Sequence, residues 1–464
     1  MTMTSRGLRA LLLAGAACAF LLPAVLPASA QEIPLDAPDP DYKGQIWAQN
    51  VEGDKPFLPG ATVAVGGQFF HPGQKIRFSR GIHPVTPDPI VADEEGRFSA
   101  LLSIPADAPL GTHPIILSTE NPYHAEIVEL KISQEIPLSG AELFEEQASR
   151  LAPGLYQSAF SAREGALFAT SAAGWPPITR SELLKIDPET LEVIARATPP
   201  ETPEGGLFAV YGLGLDETNG RVWVTNTRQD TLAVYDQKDL SLIRQFEPGL
   251  VPHARDVVFS PETGKIYVSA VGAPGLAVFD AASLAHEGMI NVVGPNSRIA
   301  FSPTSLHLDA ESGRIFTPNL SAPELAVIDS RAGKLEKIIP LPGAKSAIGV
   351  SYDPETKRIF VAAQGSDAVL VLDAGSGELL KTVSLGAGPL GVLFDPSSRL
   401  AWVSLRGAGT ITVLDAEGEI LANLDGGPQP NHLATDGSGT VFAINKGAAE
   451  DPQSDNLRRL RRAP

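Results

Sequence analysis

A repeated sixteen-residue segment constrains the fold of this chain more than any other feature. One copy reads RVWVTNTRQDTLAVYD, and in it an aromatic residue precedes a closing aspartate by 13 residues. A variant copy carries six extra residues within SAAGWPPITR, and the last copy lacks the closing aspartate. The aromatic and aspartate pairs are Phe168/Asp187, Trp223/Asp236, Tyr267/Asp280, Phe316/Asp329, Phe360/Asp373 and Trp402/Asp415, with Phe442 opening the last copy.

Each copy contains two short runs of β-branched and aromatic residues, which are too short for helices and are typical of β-strands. Turns such as DETNG, SPETG and DAESG precede the aromatic run, and their Asp or Ser side chains can bind the backbone two residues on. The closing aspartates are predicted to begin the next turn in the same way. The aromatics lie 40 to 55 residues apart. A period of that length with four short strands per unit predicts a β-propeller.

The strand sequences WVTN, YVSA and FVAA, followed by LAVYD or VLVLD, resemble the YVTN repeat family. The resemblance is closest to the YncE-like seven-bladed β-propellers of bacterial envelopes, and it covers about residues 150–464. It implies a seven-bladed propeller over 154–464. It implies no reaction, because the repeated residues build blades and do not form sites.

The amino terminus has the pattern of a secretory signal peptide over residues 1–30. Arg6 and Arg9 precede an apolar stretch at Ala10–Val25, and Ala28-Ser29-Ala30 offers a cleavage site. Cleavage after Ala30 predicts a periplasmic or secreted protein. It also removes Cys18, the one cysteine of the chain. No later segment is apolar for long enough to predict a membrane span.

Three segments lie between the signal and the propeller. Residues 31–42 are acidic and proline-rich and are predicted to form an extended lead-in. Residues 43–138 contain alternating strands, and the phrases GGQFFHPGQKIRF and VADEEGRFSALLSIPADAPLGTHPIIL resemble bacterial immunoglobulin-like domains. Residues 139–153 are predicted to be a linker with a short helix as one option. The fold class is therefore all-β: an N-terminal Ig-like β-sandwich followed by a seven-bladed β-propeller.

The formal net charge of −18 argues against nucleic acid or an anionic membrane as the main partner. Unlike the chain as a whole, the carboxyl-terminal segment LRRLRRAP is basic. We interpret it as the solvated edge of the last blade, with a contact to the envelope surface or to single-stranded nucleic acid as alternatives.

The innermost strand of each blade lines the channel of a propeller, and the loops at one end form the usual ligand face. Aligning the units on their turns places polar side chains near this mouth in four contiguous blades. Loops beside the mouth add Trp175, Arg228, Arg406 and Lys446. The candidate ligand-binding residues are Tyr156, Gln157, Tyr211, Arg255, Asp256, Arg298, Asn431 and His432.

These residues support two interpretations. In the first, the mouth binds a small polar or anionic ligand or a partner protein without catalysis: arginines donate hydrogen bonds, tyrosines form flat walls, and Asp256 and His432 orient the ligand. In the second, the channel is wet and its polar groups satisfy one another.

The alternative function is a metal-dependent lactonase- or lyase-like propeller enzyme. Such enzymes hold a divalent ion at the channel mouth with several oxygen or imidazole ligands. The aligned positions offer Gln157, Asp256, Asn431 and His432, which is a sparse set for a hard cation. The chain contains no G-x-S-x-G, P-loop or H-E-x-x-H motif. We therefore assign no catalytic residue, metal ligand or cofactor.

Overall fold

The computed structural model describes Leu35 and residues 41–295, 298–447 and 451–463. The predicted signal peptide and most of the predicted lead-in lie outside these ranges. The described chain consists of β-strands and connections, so the prediction of an all-β protein is confirmed. No helix within the described ranges is long and apolar enough to cross a membrane. The helical elements described are short 3-10 helices at Ala141–Leu143, Thr227–Gln229 and Gln364–Ser366.

The N-terminal region forms two antiparallel sheets. The first has the order β1-β2-β6, and the second has the order β4-β3-β7-β8 with β5 paired to β3. The strands are β1 (Gln45–Asn50), β2 (Thr62–Gln68), β3 (Lys75–Arg80), β4 (His83–Pro84), β5 (Ile90–Val91), β6 (Phe98–Ser103), β7 (Gly111–Glu120) and β8 (His124–Ile132).

Both of these sheets contribute to one core. Val63 and Val65 of β2 are buried, and their cluster includes Phe78 of β3 and Leu117 of β7. Because successive side chains of a strand point to opposite faces, alternate residues can share this core while their neighbours face solvent.

The remainder of the described chain contains seven four-stranded antiparallel sheets. After β9 (Phe144–Arg150), the first three sheets comprise β10 (Leu155–Ser161), β11 (Ala166–Ala173), β12 (Arg180–Ile186) and β13 (Val193–Ala197); β14 (Leu213–Asp216), β15 (Arg221–Asn226), β16 (Thr231–Asp236) and β17 (Leu242–Gln245); β18 (Ala254–Ser260), β19 (Lys265–Ala270), β20 (Gly275–Asp280) and β21 (His286–Asn291).

The next three sheets keep the same order along the chain, and the seventh draws on both ends of this region. They comprise β22 (His307–Asp309), β23 (Arg314–Pro318), β24 (Glu324–Asp329) and β25 (Lys334–Pro340); β26 (Ala347–Asp353), β27 (Arg358–Ala363), β28 (Ala368–Asp373) and β29 (Leu379–Ser384); β30 (Pro389–Asp395), β31 (Leu400–Leu405), β32 (Thr410–Asp415) and β33 (Ile420–Asp425); and lastly β34 (Pro430–Thr435), β35 (Thr440–Asn445) and β36 (Asn456–Arg462) with β9.

The first strands of these sheets contact one another in cyclic order, and β34 of the seventh sheet contacts β10 of the first. The arrangement is therefore propeller-like. The repeat aromatics lie on the second strand of each sheet and are buried; Trp223, for example, packs against Phe246 and Phe279. The closing aspartates act as predicted, since the Asp236 carboxylate accepts a hydrogen bond from the Lys238 N–H at 2.7 Å.

The seventh sheet has the order β34-β35-β36-β9. The segment Phe144–Arg150 is a strand and not the short helix that its apolar spacing suggested, because its backbone pairs with β36 from Arg150↔Asn456 to Phe144↔Arg462. This pairing also corrects the interpretation of the basic tail as a solvated edge. The tail forms β36, an interior strand, and Arg458 is buried in an ion pair with Glu146.

The N-terminal region docks on the rim of the sheet assembly through Asp367. The Asp367 carboxylate accepts hydrogen bonds from Lys131 Nζ and Ser133 Oγ, both at 2.6 Å, and from the Gly388 N–H at 2.8 Å. Asp367 belongs to the connection between the second and third strands of the fifth sheet. These connections lie at the end of the sheets where the first strands begin, so the N-terminal region stands beside the channel mouth.

Replacing Asp367 with Asn should weaken this docking. Asn tolerates the positive φ of 49° at this position, but it removes the charge that the Lys131 ammonium faces. A hydrogen bond to a charged group contributes about 1.5–3 kcal/mol, and Asn keeps one of the two acceptor oxygens. We therefore expect urea denaturation to show that the free energy of unfolding falls by about 1–2 kcal/mol. Small-angle scattering should show a larger radius of gyration. Asp239→Asn, in an exposed turn, is the control, and equal behaviour of the two variants would contradict the docking role.

Candidate ligand-binding site

The structure places seven of the eight predicted site residues in one set of contacts around the start of the first strands. Tyr156 and Gln157 begin β10, Arg255 and Asp256 begin β18, and the remaining three lie in or next to β14 and β34. Arg298 lies in the connection between β21 and β22, where its side chain is exposed. The seven residues divide into an inner layer and an outer layer. The inner layer contains Gln157, Asp256, Asn431 and His432, and the outer layer contains Tyr156, Tyr211 and Arg255.

The inner layer joins neighbouring sheets. Gln157 Oε1 accepts a hydrogen bond from the Leu213 N–H of the second sheet at 2.9 Å. Asp256 Oδ2 accepts one from the Leu306 N–H, just before the fourth sheet, at 2.8 Å, and its Oδ1 accepts one from the Val257 N–H at 3.0 Å. Burial raises the pKa of Asp256, although the N–H groups of Leu306 and Val257 oppose this change. Each carboxylate oxygen of Asp256 thus accepts a hydrogen bond from a backbone N–H group.

Asn431 and His432 connect the seventh sheet to the first in the same manner. Asn431 Nδ2 donates to the Tyr156 carbonyl at 2.5 Å, and His432 Nδ1 accepts from the Ser158 N–H at 3.3 Å. Burial, helped by the charge of Arg255, lowers the pKa of His432 to about 4. A neutral imidazole is also what the hydrogen bond requires, because Nδ1 must carry a lone pair to accept.

A cavity of about 130 Å³ lies inside the ring and is lined by Asp256, His307 and His432 among others. Some atoms of the residues considered for a metal site already accept hydrogen bonds: both Asp256 oxygens accept backbone N–H groups, and His432 Nδ1 accepts another. In the described part of the chain, no group of three or more His, Cys, Asp or Glu is arranged to hold a metal ion. The metal-dependent alternative stays a prediction.

The outer layer is a contiguous set of rings and cations. The rings of Tyr156 and Tyr211 meet edge to face with centroids 4.9 Å apart. Arg255 Nη1 donates to Tyr156 Oη at 3.3 Å, and Arg228 Nε donates to Tyr211 Oη at 2.7 Å. The Arg228 guanidinium also lies 5.2 Å from the ring of Trp175. Arg255 Nε is buried and has no hydrogen-bond partner among the described residues.

Lys446 and Arg406 complete this cationic group. Lys446 Nζ lies 5.7 Å from the Tyr156 ring centroid. Burial lowers the pKa of Lys446, and repulsion from Arg406 and Arg228 lowers it further, against the attraction of Asp455. The positive charges of Arg406 and Arg228, which come from two other sheets, are therefore close enough to disfavour the charged form of Lys446.

A cleft of about 680 Å³ between the N-terminal region and the sheets continues from this cationic group. Its walls include Lys55 and Lys131 from the N-terminal region and Lys345 and Arg406 from the sheets. Arg406 also reaches Asn431 Oδ1 at 3.5 Å, so it belongs to both the cleft and the mouth.

Sequence reasoning did not single out His253 and Lys345, although both lie in loops that enter first strands. His253 directly precedes β18, and burial lowers its pKa, with repulsion from Arg255 and Arg228 adding to the effect and Asp230 opposing it. The signal that could have found them is position: each lies within two residues of a predicted channel strand.

Comparison with known proteins shows the fold but no family. No protein-family model matches the chain, and no curated protein matches it. Solved structures that resemble it include hydrazine synthase from Kuenenia stuttgartiensis, with a TM-score of 0.55 and 16% sequence identity over 67% of this chain and 96% of that one.

Two further similar structures are of virginiamycin B lyase from Staphylococcus aureus. The selenomethionine form has a TM-score of 0.55 and 13% identity, and a catalytically inactive variant with quinupristin has a TM-score of 0.54 and 14% identity. Each match covers 69% of this chain and 100% of the lyase. At these identities the similarity establishes a shared propeller-like fold and nothing about the reaction.

Proposed function

We propose that this chain is an exported envelope protein that binds a small anionic ligand at the mouth of a propeller without catalysing a reaction. The observation that carries the proposal is the convergence of three cations on the mouth: Arg228 donates to Tyr211 Oη, Arg406 reaches Asn431 Oδ1, and Lys446 lies over the Tyr156 ring. Burial lowers the pKa of Lys446, and repulsion from Arg406 and Arg228 lowers it further. Arg255 adds a buried Nε that has no hydrogen-bond partner in the described chain. Like charges are costly to hold together, and a bound anion would offset that cost.

The charge of the whole molecule supports a small ligand over a polymeric one. The formal net charge is −18, so a long polyanion would be repelled by most of the surface. A small anion would meet only the local field of the mouth. Guanidinium and ammonium groups at such a site make charge-assisted hydrogen bonds with carboxylate or phosphate.

The architecture in this proposal is an immunoglobulin-like domain docked on a YncE-like, seven-bladed propeller. The two-sheet core of the N-terminal region and the seven four-stranded sheets with cyclic contacts support it. The proposed domains are 43–138 and 154–464, and β9 from the intervening segment completes the last blade. Export, with cleavage after Ala30, rests on the signal-peptide pattern.

Anion binding should depend on Lys446 and Arg255. With citrate as the probe and the mature chain from Gln31 in the calorimeter, we expect Lys446→Gln and Arg255→Gln each to weaken binding about 10-fold, because each removes a charge-assisted hydrogen bond. The affinity of the unaltered protein should also fall as salt rises.

The matched control is Lys334→Gln, which removes the same charge from an exposed position at the start of β25. It should leave citrate binding unchanged. Equal losses in all three variants would mean that only the general charge matters. No citrate binding by the unaltered protein at low salt would refute the proposed site.

A further inference from the structure

The mouth contains an exposed tryptophan, Trp175, that belongs to none of the buried hydrophobic clusters of the described chain. Trp175 is 84% exposed, whereas Trp223 and Trp402 are buried in the cores between sheets. Trp175 lies in the connection from β11 to β12, where the repeat carries its six extra residues. Single exposed apolar residues are common on protein surfaces, but Trp175 is set apart by its contact with a cation of the proposed site.

The contacts of Trp175 tie it to the cationic group. The Arg228 guanidinium lies 5.2 Å from the indole ring and 5.9 Å from the Tyr211 ring centroid. Tyr211 in turn packs against Tyr156, whose ring lies under Lys446. Three aromatic rings and two cations thus follow one another without a break from the insertion to the mouth.

The chemistry of this row differs from that of a site for a simple ion. Phosphate or acetate needs donors but has no flat face to cover an indole. A ring that carries an anionic group would use both features, with its face against Trp175 and its charge toward the cations. Offset and edge-to-face ring pairs are favourable beyond the area that they bury.

We infer that the ligand of the mouth is a planar aromatic anion, whose ring stacks on Trp175 while its carboxylate or phosphate meets the cations of Arg228 and its neighbours. This inference rests on the proposed function and specifies its ligand class. It makes Trp175 a determinant of specificity for the ring and leaves attraction of the charge to Arg228, Arg255 and Lys446.

The test compares 2-naphthoate with cyclohexanecarboxylate, which carries the same charge but no flat π system, by calorimetry on the mature chain. The unaltered protein should bind naphthoate about 3- to 10-fold more tightly. Trp175→Leu should abolish that preference and keep the affinity for cyclohexanecarboxylate. Because Trp175 is exposed, the substitution should not affect folding. Trp47→Leu, at a half-exposed tryptophan of the N-terminal region, is the control and should change neither affinity.

The outcomes separate the two proposals. Equal binding of the two carboxylates, or a preference that survives in Trp175→Leu, would overturn the aromatic-ligand inference and leave the anion site in place. If neither carboxylate binds and citrate does not bind, both proposals are wrong. If naphthoate binds with the expected preference, its affinity compared with that of naphthyl phosphate shows whether the site favours a carboxylate or a phosphate.

Discussion

Deleting residues 456–464 should abolish cooperative folding of the sheet assembly. The deletion removes β36, which hydrogen-bonds to β35 on one side and to β9 on the other. It also removes two buried side chains, one from the core on each face of the seventh sheet: Leu457, which is 0% exposed, and Leu460, which is 1% exposed. Burial of each leucine contributes about 2 kcal/mol, and each ladder hydrogen bond about 1 kcal/mol. The loss is then of the same order as the total stability of a typical domain, about 5–15 kcal/mol.

Circular dichroism during urea denaturation measures this effect, and the truncated chain should show no single sharp transition. The control is Arg459→Gln with Arg461→Gln, which keeps the strand and removes the partly exposed ion pairs to Glu189 together with the hydrogen bonds from Arg459 to the Glu189 carbonyl and from Arg461 to Thr440 Oγ1. That variant should lose about 1 kcal/mol for each of these contacts, well below the loss on truncation. A truncated chain as stable as the control would show that β36 does not complete the assembly. The double variant is also the proper test of nucleic-acid binding by the tail, because truncation would unfold the protein.

Replacing Arg399 with Ala should cost about 3 kcal/mol. Arg399 forms two parallel hydrogen bonds with Asp353, at 2.6 and 2.7 Å, and thereby joins the sixth sheet to the fifth. The Asp353 side chain is 0% exposed, whereas that of Arg399 is 30% exposed. Removing one partner leaves a buried carboxylate without its counter-ion, which costs about 3–5 kcal/mol in buried pairs, and water near Arg399 places this case at the lower end.

The cost of Arg399→Ala should depend on pH. Burial raises the pKa of Asp353, but hydrogen bonds from Arg399 and Thr356 outweigh burial and hold the pKa below its ordinary value of 3.8. A depressed carboxyl pKa contributes stability that is present above the unfolded pKa and is lost as pH falls through the folded pKa. The difference in the free energy of unfolding between the unaltered protein and the variant should therefore be largest at pH 6–7 and should shrink below about pH 4.

Urea denaturation at pH 7 and at pH 3 measures this difference in the free energy of unfolding. Arg97→Ala, which breaks exposed pairs with Asp93 and Glu95, is the control and should cost less than about 1 kcal/mol at either pH. A cost for Arg399→Ala that is the same at both pH values would mean that the ion pair is not the source of the effect.

The repeat in the sequence predicted the sheets because each unit carries its own strand and turn signals. The burial of Trp223 and the turn bond of Asp236 both follow from residues within a few positions of them. The strand at Phe144–Arg150 was not predicted, because FEEQASR contains no β-branched residue and its partner lies at the other end of the chain. Pairings between distant segments leave no local pattern.

The candidate site was located by alignment, but the roles of its residues were not predicted. Asp256 and His432 were expected to orient a ligand. In the structure their side chains accept hydrogen bonds from the backbone N–H groups of Leu306 and Ser158. These partners belong to neighbouring sheets, and no spacing rule connects them to the side chains. The sequence did place Arg228 and Lys446 in loops beside the mouth, but their contacts with Tyr211 and Tyr156 could not be predicted for the same reason.

The pairing of β9 with β36 also constrains how the chain reaches its folded state. Glu146 and Arg458, which meet across this pair, are 312 residues apart. Contacts between such distant residues give a high contact order and slow folding. A ribosome delivers β9 long before β36, so during synthesis β9 has no strand to complete and the assembly cannot close until the last residues emerge. A chain built in this way keeps its sheet assembly open until β36 has been synthesised, however early the other six sheets form.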